Sequence, residues 1–221
     1  MLDRVQYWPN AFGRSAGRKL DRRYKRRAER DFREVLATLR PGDVCLDLGA
    51  NRGDITRLMA ATGATVHAYE PDPETFARLQ TTCASLANVH LHQAAVGAQA
   101  GEVTLRRAAG YAGDPVGHSV GSSVRFTDVR MEQDQGIRVE QRSFADIVAG
   151  IGSTLRLIKM DIEGSEIEIL TGLMQSGIEL DVDYLFVETH QQHHPADLSD
   201  VWQLRRWAAT QTRPDINLHW R

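Results

Sequence analysis

The chain has 221 residues, of which 42% are hydrophobic and 25% charged, the usage of an ordinary globular protein with enough sequence for one sizeable core. No stretch reaches the roughly 18 uninterrupted apolar residues of a membrane span, and no apolar run at the N-terminus suits a signal peptide, so the chain reads as cytoplasmic. Its two cysteines, Cys45 and Cys83, lack C-x-x-C spacing and exclude a disulfide framework. The net charge of −2 conceals a division, because residues 1–40 carry 12 Lys/Arg against 5 Asp/Glu and the remainder is acidic. Residues 1–40 therefore read as a basic helical arm and residues 41–221 as one domain.

In the arm, the spacing of Phe32, Val35, Leu36 and Leu39 is that of one helix face and predicts a helix from about Ala16 to Leu39, ended by Pro41-Gly42. Alternation of strands and helices follows. Val44–Leu48 is a short apolar strand, leading through a glycine turn into a helix over Ile55, Leu58 and Met59; Thr65–Tyr69 is a second strand. Asp72-Pro73 is an N-cap followed by proline at the first helical position, opening a helix whose buried face is Phe76, Leu79 and Cys83. Val89–Gln93 is a third strand. Val103–Leu105 and Ile137–Glu140 read as strands separated by a Gly- and Ser-rich stretch that includes Gly121, Ser122 and Ser123. Leu155–Met160 is a strand, a helix begins near Ser165, Tyr184–Val187 is a further strand, and a helix runs from about Leu198 to Ala209, with Ile216–Trp220 able to supply a last strand. Helical crossovers between strands imply an α/β fold, doubly wound about a mostly parallel sheet.

Ligands of such sheets bind at the carboxyl ends of the strands. The first turn, Asp47-Leu48-Gly49-Ala50-Asn51-Arg52-Gly53, has G-x-x-x-G rather than the G-x-G-x-x-G of a dinucleotide site, so it lacks a dedicated phosphate cradle. Glu70, 17 positions beyond Gly53 at the end of the second strand, can accept both hydroxyls of a ribose. An adenosine ligand without a pyrophosphate suits the pair, and S-adenosylmethionine is such a ligand.

Taken with Glu70-Pro71-Asp72-Pro73 and with Lys159-Met160-Asp161-Ile162-Glu163-Gly164-Ser165-Glu166, this turn resembles the FkbM family of S-adenosylmethionine-dependent methyltransferases; Gly121-Ser122-Ser123 and Val187-Glu188-Thr189-His190 also resemble family positions. The resemblance covers about two-thirds of the chain, from Val44 to His190. It implies a class I, Rossmann-like methyltransferase fold and O-methylation of a hydroxyl on a sugar, glycan or secondary metabolite. It also implies that Gly49, Asn51 and Gly53 approach the methionine end of the cofactor, that Glu70 holds the ribose, that Gln93, Ala94 and Ala95 wall the adenine, and that Asp47, Ala50, Pro71 and Asp161 belong to the same cofactor site.

Oxygen is a poor nucleophile until its proton is leaving, so methyl transfer needs a base or a metal. The candidates at the carboxyl edge are His190, Asp161 and Glu188, with His190 first because a histidine titrates near neutrality. Asp161 stands at the tip of an apolar strand, where a carboxylate needs a partner such as the sulfonium or a substrate hydroxyl. His190, His193 and His194 form a loop cluster that Asp161 or Glu188 could complete as a divalent site, with Mg²⁺ suiting the carboxylates better than zinc. Glu163, Ser165 and Glu166 also suit capping and compensation of the helix dipole.

Acceptor choice is expected in the loops around residues 107–136 and 190–200. The basic arm allows a second reading, RNA methylation through phosphate contacts, against which the chain lacks an Asn-Pro-Pro-aromatic motif. A third is a non-catalytic cofactor-binding module.

Overall fold

A computed structural model of the chain describes residues 11–107, 136–190 and 198–220. Helix α1 (Ala11–Leu36) precedes β1 (Val44–Leu48), α2 (Asp54–Ala60), β2 (Thr65–Tyr69), α3 (Pro73–Cys83) and β3 (Val89–His92); β4 (Ala95–Gly97) and β5 (Gly101–Leu105) follow. After residue 136 come β6 (Ile137–Ser143), α4 (Phe144–Ile151), β7 (Leu155–Met160), α5 (Glu166–Ser176), β8 (Val182–Val187), α6 (Leu198–Ala208) and β9 (Asp215–Asn217). The expected loops of the Gly/Ser-rich stretch, including Gly121, Ser122 and Ser123, lie outside the described residues, as do His193 and His194.

Six strands form one parallel sheet in the order β3-β2-β1-β7-β8-β9. The central strands are buried along most of their length because helices cover both faces. One face packs Phe144 and Ile147 of α4, Ile167 and Leu170 of α5, and Val201 and Leu204 of α6 against Leu46, Ile158 and Leu185. The other receives Phe32, Val35 and Leu39 from the α1 region and Met59 of α2, with Phe76, Leu79 and Cys83 of α3 beside them. This is the doubly wound architecture implied by the alternation of elements.

Phe32, Val35 and Leu39, on the helix face that their spacing predicts, are core residues together with Ala28, and this face covers the sheet. Thr38 meets Arg156 at the amino end of β7, while Tyr24 stacks on His219 beyond β9, so α1 runs against the strands with its basic half at their carboxyl ends. Residues 95–97 and 144–151, not anticipated as elements, form β4 and α4; β4 and β5 flank β6 in a separate small sheet. Finally, β9 ends at Asn217 and lies parallel to β8, after which the chain turns and buries Trp220.

Candidate cofactor cavity and carboxylate cluster

The turn after β1 is held down by β2, since Tyr69 carbonyl accepts from both Gly49 N–H (3.0 Å) and Ala50 N–H (2.8 Å). Gly49 has φ +77°, and a Cβ at that position would stand 1.8 Å from the Asp161 carbonyl oxygen. Only glycine lets the turn pass so close to the tip of β7. Asn51 takes φ +49° without being glycine, as its short polar side chain allows.

Glu70 closes the same turn from the end of β2. Its Oε2 accepts from Asn51 N–H at 3.0 Å and its Oε1 from Asp72 N–H at 2.9 Å. Burial pushes its carboxyl up to about 7 against the opposing pull of these two hydrogen bonds. A residue chosen from sequence for ribose is thus oriented by backbone on both oxygens. Asp72 caps α3 as expected, accepting from the N–H groups of Glu74 and Thr75, and Arg107 Nε donates to its other oxygen at 2.7 Å.

Together these elements enclose a cavity of about 270 Å³ at the carboxyl edge, near the lower end of the roughly 300–1,000 Å³ of ligand pockets. Gly49, Ala50, Asn51, Glu70 and Pro71 line one side, and Ala94, Ala95, Val96 and Leu105 form an apolar wall. Asp161 and Glu163 approach from β7, and Trp220 from the C-terminal turn. The donor set fits an adenosyl sulfonium: a buried carboxylate for hydroxyls, an apolar slot for a flat base, and acidic groups near the place of positive charge.

Three residues expected at the cofactor are absent from this lining. Asp47 is fully buried below the turn, where its Oδ2 accepts from Thr56 Oγ1 at 2.6 Å. Gly53 starts α2 with φ +87°, and a Cβ there would meet Leu79 Cδ1 at 2.7 Å, so its role is helix packing. Gln93 is exposed, because the chain turns after β3 and directs Ala94 and Ala95 inward instead.

Lys159 was not anticipated. It interrupts an apolar strand, and that interruption was the available signal. Its buried Nζ donates to Gly49 carbonyl at 2.7 Å and lies 3.4 Å from Asp161 Oδ2 and 3.5 Å from Asp47 Oδ1. Burial opposes its charge, but the carboxylates of Asp161 and Asp47 win and raise its pKa. This ammonium ties the β1 turn to the tip of β7.

His190, just beyond β8, is also buried, with φ +44°. Its Nδ1 is 3.0 Å from Glu166 Oε1; its Nε2 is 3.1 Å from Glu163 Oε2 and 3.4 Å from Asp161 Oδ1. Burial alone would lower its pKa, but the carboxylates of Glu163 and Glu166 hold it up at about 12. Carboxylates face both ring nitrogens, an arrangement that favours the protonated ring over the neutral ring a base requires.

The helix-start reading holds for Glu166, which accepts from the N–H groups of Ile162 (2.9 Å) and Gly164 (2.8 Å). Ser165 makes no capping hydrogen bond with its side chain. Glu188, whose N–H donates to Met160 carbonyl at 3.0 Å, stands beside this cluster; burial first, and then the negative charge of Asp161, push its carboxyl up to about 7.

Asp161, Glu166 and His190 present ligand atoms within 4.8 Å of one another, so Glu166 replaces Glu188 in the expected divalent group. A ligating histidine gives up its proton, so at this cluster a metal competes with a proton shared among carboxylates, and both Glu166 oxygens already accept from backbone N–H groups. No helix among the described residues is long and apolar enough to cross a membrane.

The profile of the methyltransferase FkbM domain matches residues 47–209. The chain is 31% identical over 160 residues to a 31-O-demethyl-FK506 methyltransferase, FkbM, of Streptomyces tacrolimicus, covering 61% of each chain. It is 37% identical over 62 residues to ribosomal RNA small subunit methyltransferase A of Rubrobacter xylanophilus, covering 28% of this chain and 24% of the relative. The chain thus spans less than two-thirds of these relatives' length. A solved S-adenosylmethionine-dependent methyltransferase of Agrobacterium tumefaciens aligns with 73% of this chain and 30% of its own, at 11% identity and a TM-score of 0.27.

Proposed function

The chain belongs to the methyltransferase FkbM domain family, and from that premise we propose that it is an S-adenosylmethionine-dependent O-methyltransferase acting on a hydroxyl of a sugar, glycan or secondary metabolite. The observation that carries this reading is the carboxyl-edge cavity, with Glu70 oriented by the Asn51 and Asp72 amides opposite an apolar wall of Ala94, Ala95 and Val96. The relative named for 31-O-demethyl-FK506 supports oxygen as the accepting atom.

In this reading Gly49, Ala50 and Asn51 contact the methionine end, Glu70 and Pro71 the ribose, and Ala94 and Ala95 the base. The bound cofactor supplies a methyl group activated on a sulfonium. Asp161, lining the cavity between the cations Lys159 and His190, places negative charge where the sulfonium and the acceptor meet. Glu188 takes the acceptor's proton: its carboxyl titrates near 7, so at neutral pH a useful fraction is basic yet strong enough to accept. When bound, the cofactor would give up its methyl group to the acceptor oxygen and leave as the neutral thioether. His190 keeps its proton throughout, fixing Glu163 and Asp161. No step needs Mg²⁺.

Labelled S-adenosylmethionine, offered with metabolite and glycan extracts of the host, tests the activity. Transfer of label into a base-labile ester or a nucleic acid, with none into an ether, overturns the acceptor class. Calorimetry showing binding of a nicotinamide dinucleotide and none of S-adenosylmethionine overturns the cofactor.

A further inference from the structure

We propose that Arg22, Arg23, Arg26, Arg30 and Arg33 on the outer face of α1 form a docking surface for the phosphate headgroups of an anionic phospholipid bilayer. At about 100° per residue, these five positions fall within about 100° of the helix circumference and extend over about 16 Å of its length. All five are exposed. Ala28, Phe32 and Val35, on the opposite side, are buried, and the packing of Phe32 and Val35 into the core turns the arginines outward.

The stripe carries uncompensated charge. Arg30 has Asp31 at 3.5 Å and Glu34 at 3.7 Å, but among the described residues Arg23, Arg26 and Arg33 meet no carboxylate. Glu29, Asp31 and Glu34 all fall outside the arc of the five arginines. Charge is divided across the whole chain as well: residues 1–40 carry 12 Lys/Arg against 5 Asp/Glu, and the rest carry 15 against 24. A negative surface attracts the α1 side and repels the remainder, which sets one orientation.

A guanidinium pairs with two phosphate oxygens at once, and a cluster of about four to eight basic residues on a helix suits anionic headgroups. A straight row on one side of one helix meets a plane of headgroups along its whole length. Nucleic acid is a poorer partner, because the exposed large hydrophobic residues among those described are Leu58 and Ile178, and neither belongs to α1 to stack on bases. The apolar face of the helix is already committed to the core, so attachment is electrostatic, without insertion, and reversible by salt.

The basic half of α1 lies at the carboxyl ends of the strands, with Tyr24 stacked on His219 and the adjacent Trp220 lining the cavity. Docking therefore holds the cavity beside the bilayer, within reach of a lipid-borne hydroxyl; that consequence rests on the methyl-transfer reading, whereas docking itself does not.

The test is co-sedimentation of the full chain with vesicles of phosphatidylserine and phosphatidylcholine, without cofactor or acceptor, so that its outcome is independent of catalysis. The expected result is binding that is lost at high salt and absent with phosphatidylcholine alone. Each arginine at an anionic surface contributes roughly fivefold to partitioning, so Arg23→Gln/Arg26→Gln should bind roughly 25-fold more weakly. Both side chains are exposed and make no ion pair, so this variant should melt like wild type. Arg23→Lys/Arg26→Lys should bind nearly as wild type, and Arg138→Gln, a loss of charge on β6, should change binding little. Wild-type partitioning in Arg23→Gln/Arg26→Gln, equal binding to phosphatidylcholine alone, or retention of duplex RNA at a salt concentration that releases the anionic vesicles would each overturn the proposal.

Discussion

The Phe32 ring on α1 lies 4.2 Å from the Trp220 ring, tilted by 47°, and Trp220 lines the carboxyl-edge cavity proposed for the cofactor. Both also pack on Phe186 of β8. A residue of the basic arm therefore supports a wall of the site from behind. Phe32→Ala should cost about 3–5 kcal/mol of stability, as removal of a buried phenylalanine does. It should also weaken cofactor binding, while Arg33→Ala on the exposed face changes neither. Urea denaturation and calorimetry on the two variants check this; unchanged cofactor affinity in Phe32→Ala would separate the arm from the site.

Glu70→Ala removes a carboxylate that orients the Asn51 and Asp72 amides and faces the expected ribose. Charge-assisted hydrogen bonds are worth about 1.5–3 kcal/mol each, so cofactor affinity should fall about 10-fold to over 100-fold. Calorimetric titration with S-adenosylhomocysteine reads this directly, and Glu70→Gln, which keeps an acceptor without the charge, should fall between.

Glu188 and Glu70 both have carboxyls pushed up from the ordinary 4.5 to about 7, first of all by burial. The folded state holds these protons more tightly than the unfolded chain. Their stabilisation is therefore fully present below about 4.5 and is lost as the pH rises through about 7. The melting temperature should carry this downward component between those values, and Glu188→Gln should make it shallower. If Glu188 is the base, the acid limb of turnover near pH 7 should disappear in the same variant along with most of the rate, a loss of about 10²–10⁴. A limb surviving in Glu188→Gln would return the role to Asp161.

His190→Ala leaves Glu163 and Glu166 without the buried cation they share. Removing one member of a buried charged group costs about 3–5 kcal/mol, so the variant should melt well below wild type. EDTA should leave wild-type turnover unchanged, since the ring nitrogens face carboxylates as donors. Activity lost to EDTA and restored by Mg²⁺ would mean that the histidine gives up its proton to a metal.

What the sequence by itself determined was local. Asp72-Pro73 specifies a helix start because its cap reaches only two and three residues ahead. Gly49, Asn51 and Glu70 specify the tight turn at the carboxyl edge because all three belong to one strand–helix–strand unit, whose geometry follows from strand alternation and short turns.

The tertiary structure alone decided the charges. Lys159 belongs to a motif whose sequence assigns it no partner; the pairing of β1 with β7 brings Asp47, Gly49 and Asp161 around its ammonium. His190 read as a base by residue type, yet its partner Glu166 is 24 positions away, and the fold encloses both. Protonation depends on burial and on charges contributed by other elements. Neither is written in the periodicity of one segment.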